Sequence, residues 1–416
     1  MAEAVNIAVI GGGVIGCAAA WKLSERHEGI FLFERNPGIT RGENQSSRNS
    51  GVVHSGIYYD QETRPEKAAL CVRGNRMLYD FCEQTKVPAL KTGKIIVAES
   101  PEEEETLEFY LERSRENQVP GVEIISGAKV RELEPNAKAT AALLVPSAGI
   151  VEPTSLVYRL HVLASQRGVA FMTGTRVVGL TKAGDAVELE IRYPDGREDR
   201  VRAQAVVNGA GIHADEIARM ADPDSPYELD PIRGEAYKFY GHKRPELALR
   251  GMNIYPTPIS VTTPSGRHFT VGVHLTPTFE DLSYPPALGT TVTVGPKLVP
   301  ARDRDDWSGP SVDAEVFADA VAPFFPGLRA EDLLWHQSGL QARLKTHPDF
   351  IIKADAKLPQ VVHLLGIDSP GPVPCSWTAS LSHPAWCLPW TPIKSVSRPL
   401  RDWPRVKISI PSRRPL

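Results

Sequence analysis

The sequence contains no long apolar run. Nothing in its 416 residues approaches the roughly 20 consecutive apolar residues needed to cross a bilayer. It also lacks a charge surplus. Lys and Arg number 47 against 50 Asp and Glu, a formal charge of −3, which gives no polyelectrolyte basis for binding nucleic acid or an anionic membrane. Cysteine is scarce. Cys17, Cys71, Cys82, Cys375 and Cys387 form no CxxC pair and no His/Cys metal spacing, so neither a metal site nor a disulfide framework is expected, and they read as reduced, mostly buried thiols of an intracellular protein. No internal repeat is visible. The first apolar strand begins almost at Met1 and leaves no room for a signal or transit peptide, so a soluble protein is expected. The composition, 42% hydrophobic and 23% charged, is that of a globular protein. The length exceeds one compact core, which implies two domains or one domain with a large insertion.

What is present begins with "VNIAVI", residues 5–10, a short β-branched run that predicts a buried parallel strand. "GGGVIG" follows. Gly11 permits a tight turn, Gly13 lets the backbone approach a pyrophosphate, and Gly16 allows close helix–strand packing; Val14 and Ile15 lie between them at a helix N-terminus that faces phosphates. A helical pattern comes next. Then "GIFLFER" supplies a second strand that ends in Glu34, an acceptor for ribose hydroxyls, with Arg35 beside it. Strand, glycine turn, helix, strand and acidic tip in this order predict a dinucleotide site, but they do not choose between NAD and FAD.

Context helps with that choice. After Glu34 the chain leaves the βα alternation for a polar strap, "NQSSRNSGVVHSGIYYD", residues 44–60. Much later, "RAQAVVNGAGIHADEIA" gives another apolar strand, a second glycine turn at Gly209 and Gly211, and a helix start. Before it, a stretch containing Val177 reads as a strand and a hairpin turning at Asp195-Gly196. Such a β-meander inserted in a nucleotide-binding domain is a habit of FAD-dependent oxidoreductases.

Taken together, "GGGVIG", "SSRNSGVVHSGIYY", "VNGAGIHAD", "RGEAYKF", "VGVHLT" and "HLLGIDSPG" resemble the D-amino-acid oxidase-like flavoproteins, and within them the L-2-hydroxyglutarate dehydrogenase/oxidase family. The resemblance runs in order from about residue 5 to residue 371. It implies an α/β protein: a Rossmann-like FAD-binding domain of DAO type with an α+β, antiparallel-sheet substrate domain. The FAD domain is expected at 1–90, 146–230 and 341–371, and the substrate domain at 91–145 and 231–340. The resemblance further implies non-covalent FAD and oxidation of a small 2-hydroxy dicarboxylate to its 2-oxo acid. The electron acceptor stays open among a quinone, an electron-transfer flavoprotein and O₂. The family's eukaryotic members are mitochondrial, which sets a mitochondrial expectation against a cytoplasmic one.

Oxidising a 2-hydroxy acid requires a base for the hydroxyl proton and cations for the carboxylates. His54, in the strap, and His274, in "VGVHLT", are the two candidate bases, since an imidazole suits that proton transfer. The plain alternative for each is a buried histidine satisfied by backbone. Arg343, in "SGLQARLKTHPDFII", is the candidate carboxylate clamp, with Lys345 its neighbour and a surface ion pair the plain alternative. Ser47, Asn49 and Ser50 are expected to bond the pyrophosphate or flavin edges, or else to close Asx and ST turns within the strap. Gly366 and Gly371 complete the cofactor candidates. Tyr58, Tyr59, Tyr237 and Tyr255 are unranked donors to a carboxylate.

Residues 371–416 depart from the family. The resemblance implies a small-residue helix start after "GIDSPG", yet this stretch holds nine of the 36 prolines, four of the seven tryptophans, and one acid, Asp402, against seven Lys and Arg. Pro372 and Pro374 have no amide to offer a flavin oxygen. A translated wrong reading frame or misjoined exon is the expectation for 372–416, and a disordered extension the alternative. The function expected is therefore oxidation of L-2-hydroxyglutarate. Oxidation of another 2-hydroxy acid, glycerol 3-phosphate or an amino acid stands as the alternative, as does an inactive flavoprotein.

Overall fold

The computed structural model describes residues 3–41, 44–263 and 266–369. Strand Glu3–Ile10 lies at the centre of an eight-stranded sheet. Its apolar residues are continuous because both faces are covered: Ile7 and Val9 enter one core, Ala8 and Ile10 another. It runs parallel to Ile30–Glu34 on one side and Glu198–Asn208 on the other. Ala170–Thr173 extends the parallel set beyond Ile30–Glu34, and Val361–Leu365 pairs parallel with the end of Glu198–Asn208. These strands therefore finish at the same edge. Arg176–Ala183, Ala186–Arg192 and the first half of Glu198–Asn208 form the meander, turning at Gly184 and at Gly196, both of positive φ. Helices Val14–Leu23, Pro65–Thr85 and Pro153–Gln166 pack on the Ile7/Val9 face.

A second eight-stranded sheet runs in the order Leu333–Gln341, Ile232–Tyr240, Leu288–Pro300, Leu275–Phe279, Asn253–Pro256, Lys94–Ala98, Ala141–Val145, Glu123–Ser126. Its pairings are antiparallel except that of Asn253–Pro256 with Lys94–Ala98. Four consecutive glutamates, Glu102 to Glu105, lie in the first turns of helix Pro101–Glu116. Ser100 caps it by accepting from the amide of Glu103, with Glu102, Glu103 and Glu104 in the first turn and Arg113 and Arg115 in the last, where each sign suits the helix dipole. A three-stranded sheet of Val52–Val53, Gly149–Val151 and Ala89–Leu90 anchors the strap.

One buried ion pair fixes the chain that follows Leu288–Pro300. Glu235 is fully buried and Arg233 nearly so. They meet at 2.8 Å, and the Glu235 carboxylate also accepts from the amides of Ser311 and Val312. Arg233 donates to the carbonyls of Ser308 and Gly309. The two strand residues thus hold segment 308–312 by its backbone. In Glu235→Ala the guanidinium is left buried without its partner, which costs about 3–5 kcal/mol. Thermal unfolding of this variant should show a correspondingly lowered Tm, and a wild-type Tm would contradict the assignment.

Candidate active site

The site grows from the common edge of the parallel strands. Gly11 donates its amide to the Phe33 carbonyl at 2.8 Å, and Gly209 donates to the Ile10 carbonyl at 2.9 Å, so the two glycine turns lean against each other. Gly11 has φ +103°, and a Cβ there meets the Gly209 oxygen at 2.4 Å; one at Gly16 meets the Gly11 oxygen at 1.8 Å. Only glycine fits at either place. The Glu34 carboxylate accepts from the amides of Gly12 at 2.6 Å and Asn36 at 2.7 Å, which sets the turn against the end of the second strand. The strap closes the other side: Ser46 Oγ accepts from the amide of Val14 at 2.9 Å, at the start of the first helix.

These elements border a cleft of about 2010 Å³, counting its open mouth. Gly11, Gly13, Val14, Ile15, Glu34, Arg35, Asn49, Ser50, Val177, Gly209 and Gly211 line it, together with His54 and His274. The fold therefore brings residues more than 200 positions apart to one cavity. Several lining side chains carry buried polar atoms with no hydrogen-bond partner among the described residues: His54 Nδ1, Tyr255 Oη, His213 Nε2 and Trp307 Nε1. Backbone amides at a helix start, two side-chain-free turns and orphaned polar atoms are what a dinucleotide with a polar ring system requires.

Burial pushes the His54 imidazole down to about 3, helped by Lys94 and then by His274. His274 is likewise driven to about 3 by burial, opposed by its hydrogen bond to the Gly272 carbonyl and assisted by Lys94. Both rings are uncharged at neutral pH. His274 stacks on Tyr255 with centroids 3.8 Å apart and planes 14° from parallel.

Several candidates are occupied with the protein's own structure or lie outside the cleft. Gly16 packs under the turn and does not line the cleft. Ser47 is replaced by its neighbour: Asn44 caps the short helix Gln45–Ser47, Ser47 Oγ returns to Asn44 at 3.1 Å, and Ser46 is left to reach Val14. The Asn49 side chain closes turns within the strap, accepting from Gly51 at 2.9 Å and donating to the Ser46 carbonyl at 2.9 Å. Gly366 has φ +70°, and a Cβ there meets Leu344, so it serves the turn from which Ile367 and Asp368 line the cleft. Arg343 is not a lining residue. Strand Leu333–Gln341 ends before it, and the chain turns away through a bridge between Leu344 and Leu229; the Arg343 carbonyl accepts from Asp230, and its half-exposed guanidinium lies 3.9 Å from Asp368. Lys345 pairs with exposed Glu228. Gly371 and the 372–416 tail lie outside the described residues. The structure adds Ser46, Arg48, Trp307 and Gln337 to the cleft, and of the four candidate tyrosines it places Tyr255 among the lining residues. Arg48 lies over the Trp307 ring at 5.6 Å, and Gln337 donates to the Asn49 carbonyl at 3.2 Å.

A parallel sheet ending in two apposed glycine turns, under a second sheet that roofs a largely apolar cleft with a few polar groups, defines a dinucleotide-dependent oxidoreductase. The chain belongs to the DAO family of FAD-dependent oxidoreductases, whose model matches residues 6–381. FAD is the cofactor of this family, and the site fits it. The mitochondrial L-2-hydroxyglutarate dehydrogenase of Homo sapiens is 30% identical over 311 residues, 73% of this chain; the chain spans 62% of that relative's length. That of Pongo abelii is 30% identical over 79% of this chain and 75% of its own, and that of Arabidopsis thaliana 29% over 89% and 80%. The family resemblance read from the sequence is thus borne out. Among solved structures, the L-α-glycerophosphate oxidase of Mycoplasma pneumoniae with FAD bound superposes with a TM-score of 0.80 at 22% identity, over 95% of this chain and 97% of that one. The fold expected from the sequence is the one found.

The Glu34 carboxylate ties the Gly12 amide of the glycine turn to the Asn36 amide beyond the second strand, hydrogen bonds to a charged group worth about 1.5–3 kcal/mol. Glu34→Ala should therefore weaken FAD binding by about 10- to 100-fold, measured by flavin fluorescence titration of the apoprotein. Unchanged affinity would remove Glu34 from the site.

Proposed function

We propose that this chain oxidises L-2-hydroxyglutarate to 2-oxoglutarate. The observation that carries the reading is the pair of uncharged imidazoles in the cleft, in a chain about 30% identical to proteins named for that reaction. His274 is the better base of the two. A carbonyl only accepts, so the 3.1 Å contact with Gly272 keeps the ring proton on Nδ1 and leaves the lone pair on Nε2. Nε2 takes the hydroxyl proton as C2–O becomes a carbonyl. FAD, when bound, accepts the hydride that leaves C2. His54 offers substrate a hydrogen-bonding edge from the strap. Arg48, which lines the cleft, takes over carboxylate recognition from Arg343, its planar fork matching a carboxylate with two parallel bonds. The buried, apolar surroundings of the rings exclude water from the proton transfer.

Three outcomes follow for FAD-loaded protein. L-2-hydroxyglutarate should bleach the flavin absorbance faster than other 2-hydroxy acids, glycerol 3-phosphate or amino acids, and no bleaching by it defeats the reading. His274→Asn should lower kcat by about 10²- to 10⁴-fold while FAD is retained, the usual worth of a positioned base. His54→Asn should lose less; a His274→Asn enzyme with full turnover removes His274 from catalysis. The third outcome concerns pH. Below 6.5 the unfolded chain protonates both imidazoles while the folded one resists until about 3, so their contribution to stability is complete above pH 6.5 and lost as pH falls towards 3. Tm measured across that interval should fall less steeply in His274→Gln than in the wild type.

A further inference from the structure

Lys94 has a fully buried side chain, and no carboxylate pairs with it among the described residues. It lies in strand Lys94–Ala98, opposite Asn253 of strand Asn253–Pro256. Its Nζ donates to Tyr58 Oη at 3.1 Å and lies 4.5 Å from the Tyr58 ring centre and 4.6 Å from that of Tyr255. An ammonium between two aromatic faces gains cation–π attraction that strengthens as water is excluded. Tyr255 in turn carries the stacked His274 ring on its face. A continuous contact therefore runs from the Tyr58 hydroxyl through the lysine and Tyr255 to the imidazole.

We propose that Lys94 is a positioning residue for the proton-accepting site: gripped between Tyr58 and Tyr255, its ammonium fixes the ring on which His274 stacks and opposes a second positive charge in the cleft. The assignment rests on the reading of His274 as the base. The groups that face the lysine come from every side. His54 and Tyr58 come from the strap, Cys71 from helix Pro65–Thr85, Tyr255 from strand Asn253–Pro256, and His274 from the segment entering Leu275–Phe279. None is a carboxylate. A lysine so placed weakens the fold, since burial lowers its own protonation to about 7. A site needing only packing is better filled by a methionine, which has similar length and no charge. The charge therefore keeps the two imidazoles neutral at the expense of stability.

The test uses full-length, FAD-loaded Lys94→Met and Lys94→Arg. Lys94→Met should fold, with a Tm at pH 6 equal to or above that of the wild type. The advantage should shrink as pH rises from 7 towards 10.5, where the unfolded lysine also loses its proton. In the same variant the acid limb of kcat/KM should move to higher pH, because the repulsion between the ammonium and an imidazolium is gone. Lys94→Arg keeps the charge and should keep the wild-type limb. A substrate-free measurement judges the lysine even if no 2-hydroxy acid is oxidised: NMR titration of the ring protons, assigned with His54→Gln and His274→Gln. Wild-type His274 should titrate below pH 5 and move up in Lys94→Met. A wild-type transition near 6.5, or identical titrations in the wild type and Lys94→Met, overturns the proposal. Failure of L-2-hydroxyglutarate to reduce the flavin, with the shifted titration intact, overturns only the substrate reading.

Discussion

Ile10 and Asn208 are partners in adjacent parallel strands, and both strands stop at that level. The turns that follow are consequently forced into contact, and the Gly11–Gly209 approach leaves no room for a Cβ on the first. Much of the site depends on this one steric constraint. Because Gly11 turns so sharply, the helix that starts at Val14 can lay Gly16 directly on the turn's own carbonyl. Because the helix starts there, its first amides face the cleft and need an acceptor, which the strap provides with Ser46. The carboxylate of Glu34, at the end of the neighbouring strand, then ties Gly12 from the other side. A larger residue at Gly11 or Gly16 therefore displaces two turns and a helix together, and does not merely trim a contact.

The opposite half of the cleft is governed by electrostatics more than by shape. Two imidazoles, two tyrosines and a lysine are gathered beneath the second sheet with no carboxylate paired to the lysine among the described residues. In such surroundings a positive charge added to a ring is resisted by burial and by Lys94, so a neutral imidazole is the stable form. The Gly272 carbonyl then decides which nitrogen stays open. Neutrality and tautomer are thus set by separate parts of the chain, one by packing and one by a backbone oxygen two residues away.

The cofactor half was far more legible in the sequence than the substrate half, for a physical reason. Gly11, Gly13, Gly16 and Glu34 act through local backbone geometry, so their spacing along the chain carries the information. Lys94 gave no such signal: in "TGKIIVAES" it reads as the polar start of a strand, and only the pairing of that strand with Asn253–Pro256 buries it against Tyr255. Arg343 illustrates the reverse error. Its residue type suited a carboxylate, but a strand ending at Gln341 and a bridge at Leu344 take it out of the cleft. Ser47 takes the second of its two expected roles, closing a turn with Asn44, and its neighbour Ser46 reaches the first helix.

The strap is where the two halves become mechanically one. Its first part, Asn44 to Gly51, is packed between the FAD turn and the substrate sheet: Ser46 bonds Val14 on one side, while a Cβ on Gly339 would meet the Arg48 carbonyl at 2.2 Å on the other. Its middle, Val52–Val53, is pinned to Gly149–Val151, and the His54 carbonyl accepts from Asn75 of the long helix at 2.9 Å. Its end delivers Tyr58 to Lys94. A displacement that starts at the helix N-terminus is therefore resisted at four separate points before it reaches the imidazoles. Backbone held by hydrogen bonds on both flanks has little freedom to adapt, so the distance between the glycine turn and His54 is fixed by the strap's own chain length and not by how substrate happens to bind.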